Sequence, residues 1–264
     1  MSETTTSADG TVIAFDRCGA GPAVVLVHGA FTDRAHPTLA GVAAALAPWF
    51  TVFNYDRRGR GASGDTSSYA VSREVEDLAA VIAAAGGSAL VFGGSSGAAL
   101  ALRAAAGNPA IVKLAVWEPP YHVDDGAPHL PDDFAERLAD LVDQGRRADA
   151  VELFMVAAAE VPAGAVAAMR GEPAWPATEA LAHTLAYEAA VMGPGNALPV
   201  DLLAAIDQPT LVLTGGNSPA WMTNAGKEVA ARVPRAVCRI LDNQTHNVTP
   251  EALAPEILEF FVAA

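Results

Sequence analysis

The chain of 264 residues carries 30 Asp and Glu against 16 Lys and Arg, a formal net charge of −14, with 52% hydrophobic and 17% charged residues. An acidic surface excludes nucleic acid and anionic membranes as partners, because phosphates repel it, and the low charge fraction excludes a disordered chain. The length suits one or two domains, and no basic cluster denser than Arg57, Arg58 and Arg60 reverses the charge locally.

Met1–Thr6 offers neither the positive nor the apolar region of a secretory signal, and no apolar run reaches the roughly 18 residues of a membrane span. A cytoplasmic protein is expected. Cys18 and Cys238 lie far apart within apolar runs and read as reduced core thiols. Asp9-Gly10 separates predicted strands at 4–7 and 11–16, the signal of a tight hairpin. Six further strands are predicted at 23–28, 50–55, 89–93, 112–117, 210–214 and 236–241. Ala23-Val24-Val25-Leu26-Val27 and Leu211-Val212-Leu213 are continuously apolar, which suits strands covered on both faces in a parallel sheet. Helical patterns at 35–47, 72–85, 96–106, 219–232 and 250–262 alternate with them, so a doubly wound α/β architecture follows.

One stretch breaks the rhythm. Residues 121–205 contain no good strand, but helical patterns recur near 132–144, 148–160, 164–170 and 178–191. Eighty or so structureless residues are implausible there, so a helical insertion is expected within a core of 1–120 and 206–264. Helices inserted at the carboxyl ends of strands tend to cap a ligand crevice.

Gly93-Gly94-Ser95-Ser96-Gly97 follows a predicted strand and opens a predicted helix. In that setting G-x-S-x-G marks a sharp turn that lifts Ser95 above the sheet, with the Ser96 N–H at the helix start facing developing negative charge. Read without its context, the segment is only a Gly/Ser-rich loop. His28-Gly29-Ala30-Phe31 ends an earlier strand, where serine hydrolases with this sheet place a second oxyanion-hole N–H. Ala30 is the expected donor, with Gly29 its competitor. His28 is expected to order the loop, since no companion at ligand spacing supports a metal role.

A third motif is Tyr55-Asp56-Arg57-Arg58-Gly59-Arg60-Gly61-Ala62-Ser63. With it the chain resembles the α/β-hydrolase fold family, many members of which carry D-x-R-G-x-G-x-S after the fourth strand. The resemblance spans nearly the whole chain and implies an α/β-hydrolase fold: a mostly parallel eight-stranded sheet, helices on both faces and a helical cap. Arg57 and Arg58 are expected to brace the loop by pairing with neighbouring acids.

A serine nucleophile needs a base. Of His28, His36, His122, His129, His183 and His246, only His246 follows the last predicted strand, where the order serine, acid, histidine requires it. His36, His129 and His183 read as surface or helix residues. The acid departs from the family's usual pattern. After the predicted strand 210–214 the chain reads Gly215-Gly216-Asn217-Ser218-Pro219-Ala220-Trp221, without a carboxylate before Glu228. Asp207 precedes that strand, and Asp242 lies too close to His246 for a directed reach. Glu118, in Val116-Trp117-Glu118-Pro119-Pro120, is the expected acid and the one carboxylate expected away from the surface. As a simple brace for backbone N–H groups it would need partners equally.

Glu118 and the elbow Gly93–Ala98 are also similar to the zearalenone lactone hydrolases. These carry a glutamate after that strand and a G-x-S-S-G-A elbow, although they lack the His-Gly pair. Their cap tryptophan matches Trp175. Phe31, Tyr121, His122, Phe154, Trp175, Tyr187, Met192, Trp221 and Met222 are the candidates to line an apolar pocket. The expectation is a serine hydrolase with the triad Ser95, His246 and Glu118, an oxyanion hole of Ala30 and Ser96, no metal or organic cofactor, and a small uncharged ester or lactone as substrate. Lyase, acyl-transfer or perhydrolysis chemistry on the same residues, or a non-catalytic ligand-binding protein, stay open. Nothing specifies an oligomeric state, a homodimer included.

Overall fold

A computed structural model describes residues 2–66 and 69–263. Asp9 Oδ1 accepts the Thr11 N–H at 3.0 Å and Gly10 takes φ 89°, so the expected hairpin closes and brings Ser2–Thr6 (β1) against Val12–Gly19 (β2). β1 is displaced about two residues towards the amino terminus from its predicted span. Ala23–Val27 (β3), Thr51–Tyr55 (β4), Ala89–Gly94 (β5), Ile111–Trp117 (β6), Thr210–Gly215 (β7) and Ala236–Leu241 (β8) complete an eight-stranded sheet of order β1-β2-β4-β3-β5-β6-β7-β8. β2 runs antiparallel to both its neighbours, and every pairing from β4 to β8 is parallel.

The continuously apolar strands have both faces covered. Val25, Val27, Val91, Val116 and Val212 point to one side, under Val71–Ala84 (α2), Ser96–Ala105 (α3) and Ala220–Arg232 (α10). Val24, Leu26, Phe92, Trp117 and Leu213 point to the other, under Pro37–Leu46 (α1) and Pro250–Val262 (α11). Each fully buried aliphatic side chain contributes about 1.5–3 kcal/mol, so the two apolar layers are the main favourable term. Nine of the ten α3 residues are buried, which suits a helix rich in Ala that approaches the sheet closely.

Between β6 and β7 lie Phe134–Asp143 (α4), Arg147–Ala157 (α5), Ala163–Met169 (α6), Trp175–Ala180 (α7), Leu185–Met192 (α8) and Val200–Ala204 (α9). They enclose a separate apolar cluster that includes Leu138, Val151, Trp175 and Leu185. The helix expected over 178–191 is divided by a 3₁₀ turn at Ala182–Thr184. Thr184 Oγ1 donates to the Leu181 carbonyl at 2.8 Å, and the His183 ring bridges Gly59 O and Arg147, so side-chain hydrogen bonds compete with the helix there. α9 was not legible in the sequence. The cysteines also correct the sequence reading. Both are free thiols, but Cys18 is exposed and Cys238 only half-buried.

The order of the sheet positions the site. Successive strands run outward from β3 to β4 and then cross back to β5, so the chain reverses direction between β3 and β5. Ligand crevices in open α/β sheets form at the carboxyl ends of strands at such a point.

Candidate active site

β5 passes into α3 through Ser95, which takes φ 57° and ψ −127°, and its N–H is fixed to Trp117 O at 2.8 Å. The glycines on either side are required by contact. A Cβ on Gly93 would sit 2.5 Å from Gly97 O, and one on Gly97 would sit 2.4 Å from His28 O. Ala98 and Ala99 both donate to Ser95 O. Among the described residues the Ser96 N–H meets no protein acceptor, and it stays free at the start of α3.

His246 Nε2 lies 3.1 Å from Ser95 Oγ, and His246 Nδ1 lies 2.8 Å from Glu118 Oε2. The carboxylate accepts a hydrogen bond from Nδ1–H, which leaves the Nε2 lone pair for the serine hydroxyl. Glu118 is fully buried, and its Oε1 accepts the Gly215 N–H at 2.7 Å. Glu118 therefore contacts the histidine ring with one oxygen and backbone with the other. Its own backbone takes φ 40° and donates to Leu213 O, which locks the turn after β6 onto β7. Trp117 Nε1–H donates to His246 O at 3.1 Å and anchors the histidine loop. Asp207 and Asp242 are exposed, and neither bonds His246 among the described residues.

The loop after β3 lies against the serine: a Cβ on Gly29 would be 3.0 Å from both Gly94 O and Ser95 Cβ. His28 Nε2–H donates to Asn54 Oδ1 at 2.6 Å, and Asn54 in turn donates to Arg34 O. Burial pulls the His28 imidazole down to about 3, so it stays neutral and orders the loop as expected. Among the described residues the Ala30 N–H has no protein acceptor.

The arginines of the third motif are buried, and here the sequence reading needs correction. Glu118 is not the only interior carboxylate, because Asp56, Glu74, Asp77 and Glu188 are buried too. Arg57 binds Glu74 through two donors and Glu188 through a third, while Arg58 binds Asp77 through two donors and Asp9. Arg60 binds Glu188. Burial acts to lower Arg57, but the Glu188 and Glu74 carboxylates outweigh it and hold the guanidinium above its ordinary value. Glu188 escaped the sequence analysis. Its signal was a lone carboxylate in the apolar helix Leu-Ala-Tyr-Glu-Ala-Ala-Val-Met.

The residues expected to line one pocket are divided among several environments. Tyr121 and Met192 are buried in the core beside α3. Tyr187 stacks on Tyr69 at 3.9 Å and lines a cavity of about 630 Å³ with Asp65, His183 and Glu136; neither Ser95 nor His246 lines it. Trp175 is buried in the cluster of the α4–α8 helices. Phe31 meets Phe154 edge-on at 5.5 Å. His122 meets Trp221 edge-on, also at 5.5 Å, beside the buried Met222, and the Trp221 indole donates to Glu160. Among the described residues no group of three or more His, Cys, Asp or Glu could hold a metal ion. None of their helices is long and apolar enough to cross a membrane.

Residues 24–256 match the family described as the Alpha/beta hydrolase family. A crystal structure of an alpha/beta hydrolase from Sphaerobacter thermophilus is 55% identical, covers 98% of this chain and 100% of its own, and superposes with a TM-score of 0.91. The esterase RhEst1 from a Rhodococcus species shares the fold at 24% identity and a TM-score of 0.68, over 98% of this chain and 96% of its own. The uncharacterized hydrolase YraK of Bacillus subtilis is 34% identical over 117 residues, a stretch that spans 42% of this chain and 42% of that relative.

Proposed function

The chain belongs to the alpha/beta hydrolase family, and from that premise we propose that it is a serine hydrolase cleaving an uncharged ester or lactone. The observation that carries this reading is the hydrogen-bonded series Ser95 Oγ, His246 Nε2, His246 Nδ1, Glu118 Oε2, with steps of 3.1 and 2.8 Å. In this reading His246 takes the Ser95 proton as Oγ attacks the carbonyl carbon. Glu118 fixes the tautomer and stabilises the imidazolium. The N–H groups of Ala30 and Ser96 receive the oxyanion. The imidazolium then protonates the leaving alkoxide, and water attacks the acyl-enzyme with His246 again as base.

The local electrostatics support an uncharged substrate. Arg57, Arg58 and Arg60 are each engaged by buried or half-buried carboxylates, so none is free to neutralise a substrate anion. Residues 121–205 are assigned as a cap over the crevice, with Phe31, His122 and Trp221 as the aromatic wall.

Labelling with a fluorophosphonate, followed by a turnover screen of p-nitrophenyl esters and lactones, tests the proposal. Wild type should label at Ser95 and turn over neutral esters, and Ser95→Ala should do neither. Absence of labelling refutes a serine nucleophile. Labelling without ester or lactone turnover refutes the substrate class and favours transfer chemistry on the same residues.

A further inference from the structure

Resting on the serine-hydrolase reading, we propose that Arg60, paired with Glu188, is a positioning residue that aims the Ala30 N–H into the oxyanion hole. Arg60 Nη1 donates to Gly29 O at 3.1 Å, and Thr32 Oγ1 donates to the same oxygen at 2.9 Å. That carbonyl belongs to the Gly29–Ala30 peptide. In a trans peptide the C=O and N–H point in opposite directions, so fixing the oxygen from behind fixes the direction of the Ala30 N–H in front. A cation on the oxygen also polarises the peptide and makes that N–H a stronger donor. Arg57 Nη1 does the same one peptide earlier, at His28 O and 3.0 Å, and so sets the Gly29 N–H.

The surroundings of Arg60 argue against a purely structural role. Its side chain is almost completely buried, its only side-chain partners among the described residues are Glu188 and Gly29 O, and its Nε meets no acceptor. Burying a guanidinium with one donor unmatched costs stability that an apolar side chain of similar volume would not. Arg58 makes the contrast within the same loop. It is satisfied by Asp77, Asp9, Thr66 and Arg73 O and touches neither loop carbonyl. Glu188, which bridges Arg57 and Arg60, stands on α8, so a helix from the segment between β6 and β7 carries the counter-charge of the loop.

The test compares two paired removals with one neutral change, on p-nitrophenyl butyrate and on the rate of fluorophosphonate labelling. Arg60→Met with Glu188→Gln removes the pair together and leaves Arg57 with Glu74. It should lower kcat and the labelling rate about 10- to 100-fold with KM within about twofold, less than removal of a donor outright. Arg58→Met with Asp77→Asn removes a comparable buried pair and should leave kcat within about threefold. Thr32→Val removes the second donor on Gly29 O without any change of charge and should lower kcat several-fold. Undiminished turnover in the folded Arg60 pair variant overturns the proposal, as does an equal loss in both pair variants. If the Arg60 pair variant does not fold, Thr32→Val decides, and an unchanged kcat there overturns it. Failure of wild type to label at Ser95 removes the serine-hydrolase reading itself. Normal wild-type labelling with an unaffected Arg60 variant removes only the positioning role.

Discussion

Phe31, Ser95, Glu118 and Asn243 take φ of 58°, 57°, 40° and 61°, so a non-glycine residue in the left-handed region stands on each loop that carries the proposed machinery. Such conformations cost about 1–3 kcal/mol each and persist only where the surroundings over-determine them. Glu118 shows how: its N–H, Oε1 and Oε2 are all engaged. Glu118→Gln keeps the shape and an acceptor for Gly215, but it cannot stabilise an imidazolium and favours the wrong tautomer. Its kcat should fall about 10³- to 10⁴-fold, with Asp207→Asn and Asp242→Asn within about twofold. An unimpaired Glu118→Gln removes it from the triad. His28 offers a second prediction. Its folded value of about 3 lies below the unfolded 6.5, so the stability due to its neutral form is complete above pH 6.5 and declines as pH falls towards 3. His28→Gln keeps a donor for Asn54 and does not titrate. Between pH 7 and 5 it should therefore lose about 2 kcal/mol less stability than wild type by urea denaturation. Equal losses mean that His28 is protonated in the folded protein. Glu118 was legible as a candidate in the sequence because the loop after β7 holds no carboxylate before Glu228. The Arg60–Glu188 pair was not, because its two partners lie 128 residues apart in the chain.

At the scale of elements, the elbow between β5 and α3 depends on two close backbone approaches rather than on side-chain packing. A methyl group on Gly97 would meet Val27 O at 2.5 Å as well as His28 O, and backbone atoms cannot rotate aside as a side chain could. Gly97→Ala should push α3 away from β3 and shift Ser95 relative to Ala30. We expect a stability loss of about 2–3 kcal/mol in urea titrations, and labelling reduced by more than the folded fraction explains. A variant with full labelling and unchanged stability rules out the tight elbow. The same physics set what could be read beforehand. β3, β5 and β7 were legible because runs covered on both faces are continuously apolar, and β8 and α11 took their predicted bounds. The break between α7 and α8 was not legible. It rests on His183 bonding Gly59, in a loop more than a hundred residues earlier.

At the scale of the molecule, five carboxylates and three arginines are buried, so nearly all the surplus of negative charge lies on the surface. Overall charge was readable from composition, since it needs no positions. The lining of a pocket was not, because whether Trp175 and Tyr187 meet a ligand depends on how α7 and α8 are rotated, and α8 carries apolar residues on several faces. The charge makes its own prediction about substrate choice. A negative surface field lowers the local concentration of an anionic ester and leaves a neutral one unaffected, and salt screens that field. The Debye length falls from about 20 Å near 20 mM salt to about 4 Å near 500 mM, so across that range most of the repulsion should disappear. For a p-nitrophenyl ester with a free carboxylate, kcat/KM should rise several-fold through a falling KM. The neutral ester of equal length should change by less than about twofold. A flat or falling kcat/KM for the anionic ester means that a local cation, not the surface charge, governs approach to Ser95.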